Sequence, residues 1–165
     1  MDSPTLEPHL MSVQSTNLQF MDFLKANLDY AIIGVLGFMS FIMIAYVIER
    51  TIYLGRVDTS GFGNLHELDI ALTRHLGIIA TIGANAPYVG LLGTVLGILI
   101  TFHDIGQGGT IETGTIMLGL ALALKATALG LVVAIPSIIF YNALLRRVEV
   151  LTARWQSARS NSGPQ

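Results

Sequence analysis

The stretch from Ala80 to Phe102 contains no Asp, Glu, Lys or Arg. It is long enough to cross a bilayer as a helix. Two more apolar stretches lie at 30–48 and 115–141; the first has no charged residue and the second has one, Lys125. Only 12% of the 165 residues are charged, whereas soluble globular domains carry about 25%. We therefore predict an all-α integral membrane protein with three transmembrane helices and no separate soluble domain.

Charged and turn-forming residues mark the segments between these spans. We expect an outer N-terminal segment, three spans, a short inner connection, an outer loop and an inner helical tail, in the order 1–29, 30–48, 49–76, 77–102, 103–114, 115–141 and 142–165. Leu18, Met21, Leu24 and Leu28 are spaced three and four apart. This spacing predicts either a short amphipathic helix on the membrane surface or the first turns of the first-span helix.

Helical spacing continues beyond two of the spans. The segment from His66 to His75 leads into the second span without a strong breaker, and 142–158 continues the third. We expect both helices to project beyond the membrane on the same side. Basic residues are concentrated on that side: Arg50, Arg56, Arg74, Arg146, Arg147, Arg154 and Arg159. The positive-inside rule then predicts an outer N-terminus and an inner C-terminus.

Small and polar residues form a stripe in each of the last two spans. In the second span the residues that recur every seven positions are Thr73, Ala80, Pro87, Thr94 and Thr101, and Gly90, Gly93 and Gly97 lie beside them. In the third span the spacing of three and four joins Leu120, Ala123, Thr127, Gly130, Ala134, Ser137 and Tyr141. Such stripes face other helices or a narrow pore. Helix packing alone also explains them.

Lys125 is the one charged residue inside a predicted span. Placing a charge at this depth costs about 2.5–3.5 kcal/mol on insertion scales, so it is a functional hypothesis by default. Two residues correspond to about 200° around a helix, so Lys125 points away from Thr127. Three interpretations stay open: a side chain that snorkels or bonds a carbonyl, a part of an ion path, or a specific pair with a carboxylate of another chain.

The composition excludes several classes of function. A net charge of −2 does not suit a nucleic-acid binder. Without Cys there is no thiolate chemistry, and the four His residues are too far apart in sequence to predict a metal site. No hydrolase, phosphate-loop or metalloprotease motif is present. We therefore expect no enzyme activity, no catalytic residue and no cofactor, but the conduction of a small ion or proton, or helix packing.

Two segments resemble the motifs of a known family. Asn85-Ala-Pro-Tyr-Val-Gly-Leu-Leu-Gly-Thr-Val-Leu-Gly97 is similar to the second-span motif of the MotA/TolQ/ExbB proton-channel family. Lys125-Ala-Thr-Ala-Leu-Gly-Leu-Val-Val-Ala-Ile-Pro-Ser137, with Tyr141-Asn142 after it, resembles the third-span motif. The resemblance covers about 80–142 and is greatest to the ExbB-type members.

This resemblance implies a ring of identical chains, a pentamer, in the bacterial inner membrane. The second and third spans of each copy line a pore that holds the single spans of ExbD-like chains, and proton flow drives a movement that a TonB-like protein uses for outer-membrane transport. The pore threonines of the family correspond to Thr94 and Thr127. The remaining stripe residues would line the pore or pack the helices.

The chain departs from the family in two places. ExbB-type proteins carry a Glu five residues before the third-span Thr, and Leu122 stands there. Lys125 lies one turn further on and is a candidate for part of the electrostatic role of that Glu. The connection between the first two spans is also short, which argues against a MotA-like role. A TolQ-like role in envelope integrity and a passive membrane scaffold remain as alternatives.

Overall fold

The computed structural model describes the backbone of residues 6–106 and 113–160 and the side chains of 27–106, 113–114 and 116–160. Within these ranges the elements are α1 (Leu6–Arg56), a 3-10 turn (Thr59–Gly61), α2 (Leu65–Thr73), α3 (Leu76–Gly106) and α4 (Thr113–Ser160). Three helical segments are long and apolar enough to cross a membrane: Asn27–Arg56, Leu76–Gly106 and Ile116–Ser160. The predicted all-α fold with three such helices is confirmed.

The helix α1 is continuous from Leu6 to Arg56. No break separates the predicted amphipathic segment from the first span, so the backbone agrees with the alternative of a single long helix. Most of the apolar side chains behind that prediction lie outside the described residues. The helix α1 also continues past Glu49 and Arg50, where the sequence analysis placed the end of the first span.

The helices α3 and α4 form an antiparallel pair. A Cβ on Gly83 would lie 3.2 Å from the Cβ of Ser137, and a Cβ on Gly97 would lie 2.8 Å from the Cβ of Ala123. Residues early in α3 therefore pack on residues late in α4. In this pair the stripe of small residues on α4 is covered by α3 of the same chain.

The helix α1 packs against this pair along one face. Among its described residues, the buried apolar ones are Leu28, Ile32, Leu36, Met43, Val47 and Leu54. The other faces are exposed although they are equally apolar, with Tyr30 80% and Phe41 71% accessible. These exposed apolar faces fit a helix on the outside of the bundle, facing lipid.

At one end of the bundle the apolar core continues as a cluster of side chains between the projecting parts of the helices. We call this end of the bundle the basic end. Here α1 ends and α3 begins, close to Arg50, Arg56, Arg74, Arg146 and Arg147. We call the opposite end, at Gly106 and Thr113, the loop end. The buried side chains of this cluster are Leu54, Leu68, Leu72, Leu144, Val148 and Trp155. The helix α4 is helical to Ser160, as predicted for its projection.

The junction between α2 and α3 differs from the prediction. We expected helix from His66 to His75 to run directly into the second span. Instead α2 ends at Thr73, Arg74 leaves the helical conformation, and His75 has a φ of 64°. Such a left-handed residue breaks a helix without Gly or Pro. Thr73 thus lies on α2, and the stripe on α3 begins at Ala80.

Candidate functional site

The closest contact between α3 and α4 lies at two glycines. A Cβ on Gly90 would stand 2.7 Å from the Ala126 carbonyl oxygen, and a Cβ on Gly130 would stand 2.7 Å from the Ala86 carbonyl oxygen. No side chain fits at these distances, so the two backbones touch directly. Glycine is required here because of this approach, as in other closely packed membrane helices.

Two threonine hydroxyls meet immediately beside this contact. The Oγ1 atoms of Thr94 and Thr127 are hydrogen-bonded to each other. The Thr94 hydroxyl also lies 3.2 Å from the Ala123 carbonyl oxygen, and the Thr127 hydroxyl lies 3.4 Å from the Gly90 carbonyl oxygen. Thr94 is buried and Thr127 is half-buried. The two hydroxyls form a polar site, which we call the hydroxyl station, in an otherwise apolar part of the bundle.

This threonine pair lies on the side of α3 and α4 that faces away from α1. A Cβ on Gly93 would lie 3.2 Å from the Ile32 side chain, so Gly93 faces α1. Thr94 follows it by one residue, about 100° further around the helix. Pro87 precedes Thr94 by two turns on the same stripe. We call the surface of α3 and α4 that carries the threonine pair, turned away from the contact with Ile32, the surface opposite α1.

The other predicted site residues pack α3 on α4. A Cβ on Gly119 would lie 2.7 Å from the Thr101 hydroxyl, and Ala123 lies against Gly97. Ala134 and Ser137 are buried, and the Ser137 hydroxyl donates a 2.8 Å hydrogen bond to the Val133 carbonyl. Of the two roles predicted for these stripe residues, lining and packing, the single chain displays packing.

Lys125 does not join the threonine pair. Its side chain is exposed on the far side of α4, as its position two residues before Thr127 predicts. Leu122 is also exposed, at 45%. Ala121 and Ala128, one turn on either side of Lys125, are exposed as well. The ammonium group thus stands on an exposed and otherwise apolar surface of α4.

The role of Arg50 was not predicted from the sequence, where this residue served only to orient the chain. In the structure its side chain is 2% exposed. Its Nη2 atom donates hydrogen bonds of 2.7 and 2.8 Å to the carbonyls of Ala71 and Leu72. These are carbonyls of the last turn of α2, which have no partner within the helix. A cation at a helix C-terminus also interacts favourably with the helix dipole.

His75 and Glu49 form a contact beside this cap. The His75 Nδ1 atom lies 3.3 Å from the Glu49 carboxylate, and the His75 ring lies 4.8 Å from the ring of Tyr46. The contact joins the left-handed residue of the α2–α3 junction to α1. The only sequence feature that could have indicated the cap and this contact is the pair of adjacent charged residues, Glu49 and Arg50, at the end of an apolar stretch.

These features define a membrane protein with a closely packed helix pair that holds two hydrogen-bonded hydroxyl groups. The family model of the MotA/TolQ/ExbB proton channel family matches residues 63–157. That range contains α2, α3 and most of α4, including both threonines. The chain belongs to this family.

Individual relatives extend the match to most of the chain. The "Biopolymer transport protein ExbB" of Aquifex aeolicus is 53% identical over 137 residues, which are 83% of this chain and 93% of that protein. The protein of the same name from Helicobacter pylori strain J99 is 49% identical over 136 residues, or 82% and 94% of the two chains. The "Tol-Pal system protein TolQ" of Pseudomonas aeruginosa is 43% identical over 84 residues, which are 51% of this chain and 36% of that protein.

The family consists of proton channels and transport energisers rather than enzymes, and the relatives support an energiser role of the ExbB/TolQ type for this chain. The two relatives named ExbB are matched over nearly their whole length. These two relatives are therefore similar in length to this chain, which matches 93% and 94% of their residues.

Proposed function

We propose that this chain is the ring-forming subunit of an ExbB-type motor that uses the proton motive force to energise transport across the outer membrane. Copies of the chain assemble as a pentamer in the bacterial inner membrane. An ExbD-like single-span protein occupies the centre of the ring, and a TonB-like protein receives the motion. The observation that carries the proposal is the Thr94–Thr127 hydroxyl pair, located on the surface opposite α1.

The hydroxyl pair can serve a carboxylate of the central chain in either protonation state. Burial among apolar helices disfavours a charged carboxylate and favours proton uptake. A hydroxyl can donate a hydrogen bond to the ionised form and accept one from the protonated form. The Thr127 hydroxyl is half-buried, so it can exchange its bond with Thr94 for a bond with such a group. Each copy in the ring offers an equivalent station.

The proposed orientation follows the basic residues. The N-terminus and the loop end face the periplasm, and the basic end with the α4 projection faces the cytoplasm. The proton then moves between the loop end and the basic end along the surface opposite α1. The segment boundaries given in the sequence analysis are part of this proposal, except that the first span includes Asp29, which lies in the apolar helical segment Asn27–Arg56.

Lys125 holds part of the electrostatic role that the family assigns to a Glu at the position of Leu122. Lys125 lies one turn from Leu122, and its side chain is exposed on the surface of α4. It acts by pairing with an acidic group and does not touch the Thr94–Thr127 hydroxyl pair. Full TonB-dependent uptake by a Lys125→Met variant would contradict this role.

The experiment that tests the function is siderophore-dependent growth of a deletion strain that carries Thr127→Val or Thr94→Val. Valine keeps the shape of threonine and removes the hydroxyl. The matched control is Ser137→Ala, which removes a fully buried hydroxyl from the same stripe of α4. Membrane levels and oligomer size are measured in parallel. We expect lost growth with an intact oligomer for the threonine variants and normal growth for the control.

Normal growth of both threonine variants would assign the stripe to packing and favour the passive scaffold. The similarity to the Pseudomonas aeruginosa TolQ supports a second candidate, a TolQ-like subunit that maintains the envelope. Co-purification with a Tol-type rather than an ExbD-type partner protein, and detergent sensitivity of the deletion strain without a siderophore defect, would select it.

A further inference from the structure

One layer of contacts fixes the relative depth of the three long helices. A Cβ on Gly93 of α3 would lie 3.2 Å from Ile32 of α1 and 2.7 Å from the Ala126 Cβ of α4. These three residues therefore lie at one level. Leu54 of α1 lines a groove with Val150 of α4, so the later parts of these two helices also meet. The helices α1 and α4 consequently run parallel.

Two opposite charges lie close to this layer. Asp29 precedes Ile32 by three residues, about 4.5 Å along the helix, and Lys125 precedes Ala126 by one residue, about 1.5 Å. Both displacements point towards the loop end, because the helices are parallel. The two α-carbons therefore differ in depth by about 3 Å. The Lys side chain leans towards the N-terminus of its helix, which brings the ammonium group nearer to the depth of Asp29.

The two side chains also start from neighbouring faces of α1 and α4. Asp29 precedes Leu36 by seven residues and so lies within about 20° of its direction. Leu36 belongs to the buried face of α1. Lys125 lies one turn before Leu129, which packs against the buried core. Its stem thus begins at the edge of the covered surface of α4.

Each charge alone is unfavourable at this position. The layer lies well inside α3, because Gly93 stands 13 residues, about 20 Å, before its end at Gly106. In the isolated chain both side chains are exposed, and no ion pair joins either of them to another residue within the described ranges. Within hydrocarbon an unpaired ion is costly, and opposite charges at equal depth neutralise each other.

We propose that Asp29 and Lys125 of the same chain form an ion pair that joins the first and third spans inside the membrane. The pair neutralises the charges of both spans and fixes α1 against α4 on the side remote from the threonine pair. It is independent of the identity of the central chain, and so it holds or fails separately from the proposed motor function.

Cysteine cross-linking tests the proximity directly, because the chain contains no Cys. The variant carries Asp29→Cys, Lys125→Cys and a protease site in the connection at 58–63, and native membranes are treated with a short thiol-specific cross-linker. We expect the two fragments to stay joined after cleavage. The matched control replaces Asp29→Cys with Tyr30→Cys, about 100° around α1 and 80% exposed, which should cross-link poorly. Dimers in place of joined fragments, or equal linking in the control, would overturn the proposal.

Charge reversal tests the electrostatic part. We expect Asp29→Lys and Lys125→Asp each to lower the amount of assembled protein in the membrane about tenfold, and the double reversal to restore it to within about twofold of the parent. Asp104→Lys combined with Lys125→Asp is the control and should not restore assembly. A double reversal no better than the worse single variant would refute the pair.

Discussion

Gly90 of α3 and Gly130 of α4 lie against each other so closely that a Cβ on either one would stand within 3.2 Å of the Cα of the other. The two threonine hydroxyls meet beside this contact. Any substitution that separates the two backbones therefore also separates Thr94 from Thr127. Packing and polar function depend on one and the same approach of the helices.

The first prediction concerns this approach. Gly130→Ala introduces a methyl group 2.7 Å from the Ala86 carbonyl oxygen, which forces the helices apart and lowers the free energy of unfolding by about 1–3 kcal/mol. Gly37→Ala on α1 is the control, because nothing lies within 4 Å of the added Cβ. Unfolding in detergent, followed by circular dichroism, measures both. Equal stability of the two variants would show that the helices are not in contact at Gly130.

The second prediction concerns the cap on α2. Arg50→Met removes the two hydrogen bonds to the carbonyls of Ala71 and Leu72, and we expect it to cost about 3 kcal/mol, since hydrogen bonds from charged groups are the strong ones. Arg56→Met, one and a half turns later on an exposed position, should stay within about 0.5 kcal/mol of the parent. Thermal unfolding of both variants decides the point, and similar midpoints would contradict the cap.

Much of this architecture follows from the sequence, and the exceptions have physical reasons. The three spans can be predicted because apolar stretches of this length are typical of membrane-crossing helices. The stripe on α4 can be predicted because small residues recur in it at helical spacing. The break at Arg74 and His75 cannot be predicted, because neither residue is a strong helix breaker. The burial of Arg50 also escapes the sequence, because a charge after an apolar stretch normally marks a boundary with water.

The third prediction concerns His75. Its φ of 64° is the left-handed conformation, which costs a residue with a side chain about 1–2 kcal/mol and Gly almost nothing. His75→Gly should therefore match the parent in stability, since the strain it relieves offsets the lost contact with Glu49. His75→Val should be less stable than His75→Gly by about 1–2 kcal/mol. If the two variants unfold at the same temperature, the junction does not have this conformation.

The fourth prediction is a pH dependence in the connection after α1. The Ser60 hydroxyl and backbone N–H both donate to the Asp58 carboxylate, and these hydrogen bonds hold the pKa of Asp58 below its usual value of 3.8. The ionised form is the one that caps the 3-10 turn. The stabilisation is therefore complete above the usual pKa and disappears as the pH falls through the lowered one.

Amide hydrogen exchange at Ser60, corrected for its intrinsic dependence on pH, measures this effect. Protection should decrease only in acid well below neutrality. Asp58→Asn keeps a side-chain oxygen acceptor without a titrating group, so its protection should not change over the same range. A parent protein that behaves like this variant would show that Asp58 does not cap the turn in its ionised form.

The continuity of α4 has a mechanical consequence. From Thr127 to Arg159 it is one helix, a rod about 48 Å long. At its far end the Arg159 guanidinium donates to the carbonyls of Phe62 and Gly63, and Trp155 is inserted in the apolar cluster of the basic end. The helix is continuous across Pro136, which lacks the backbone N–H of a helical hydrogen bond. A tilt of α4 at Thr127 therefore reaches the connection between α1 and α2 through a single helix whose natural bending point is Pro136.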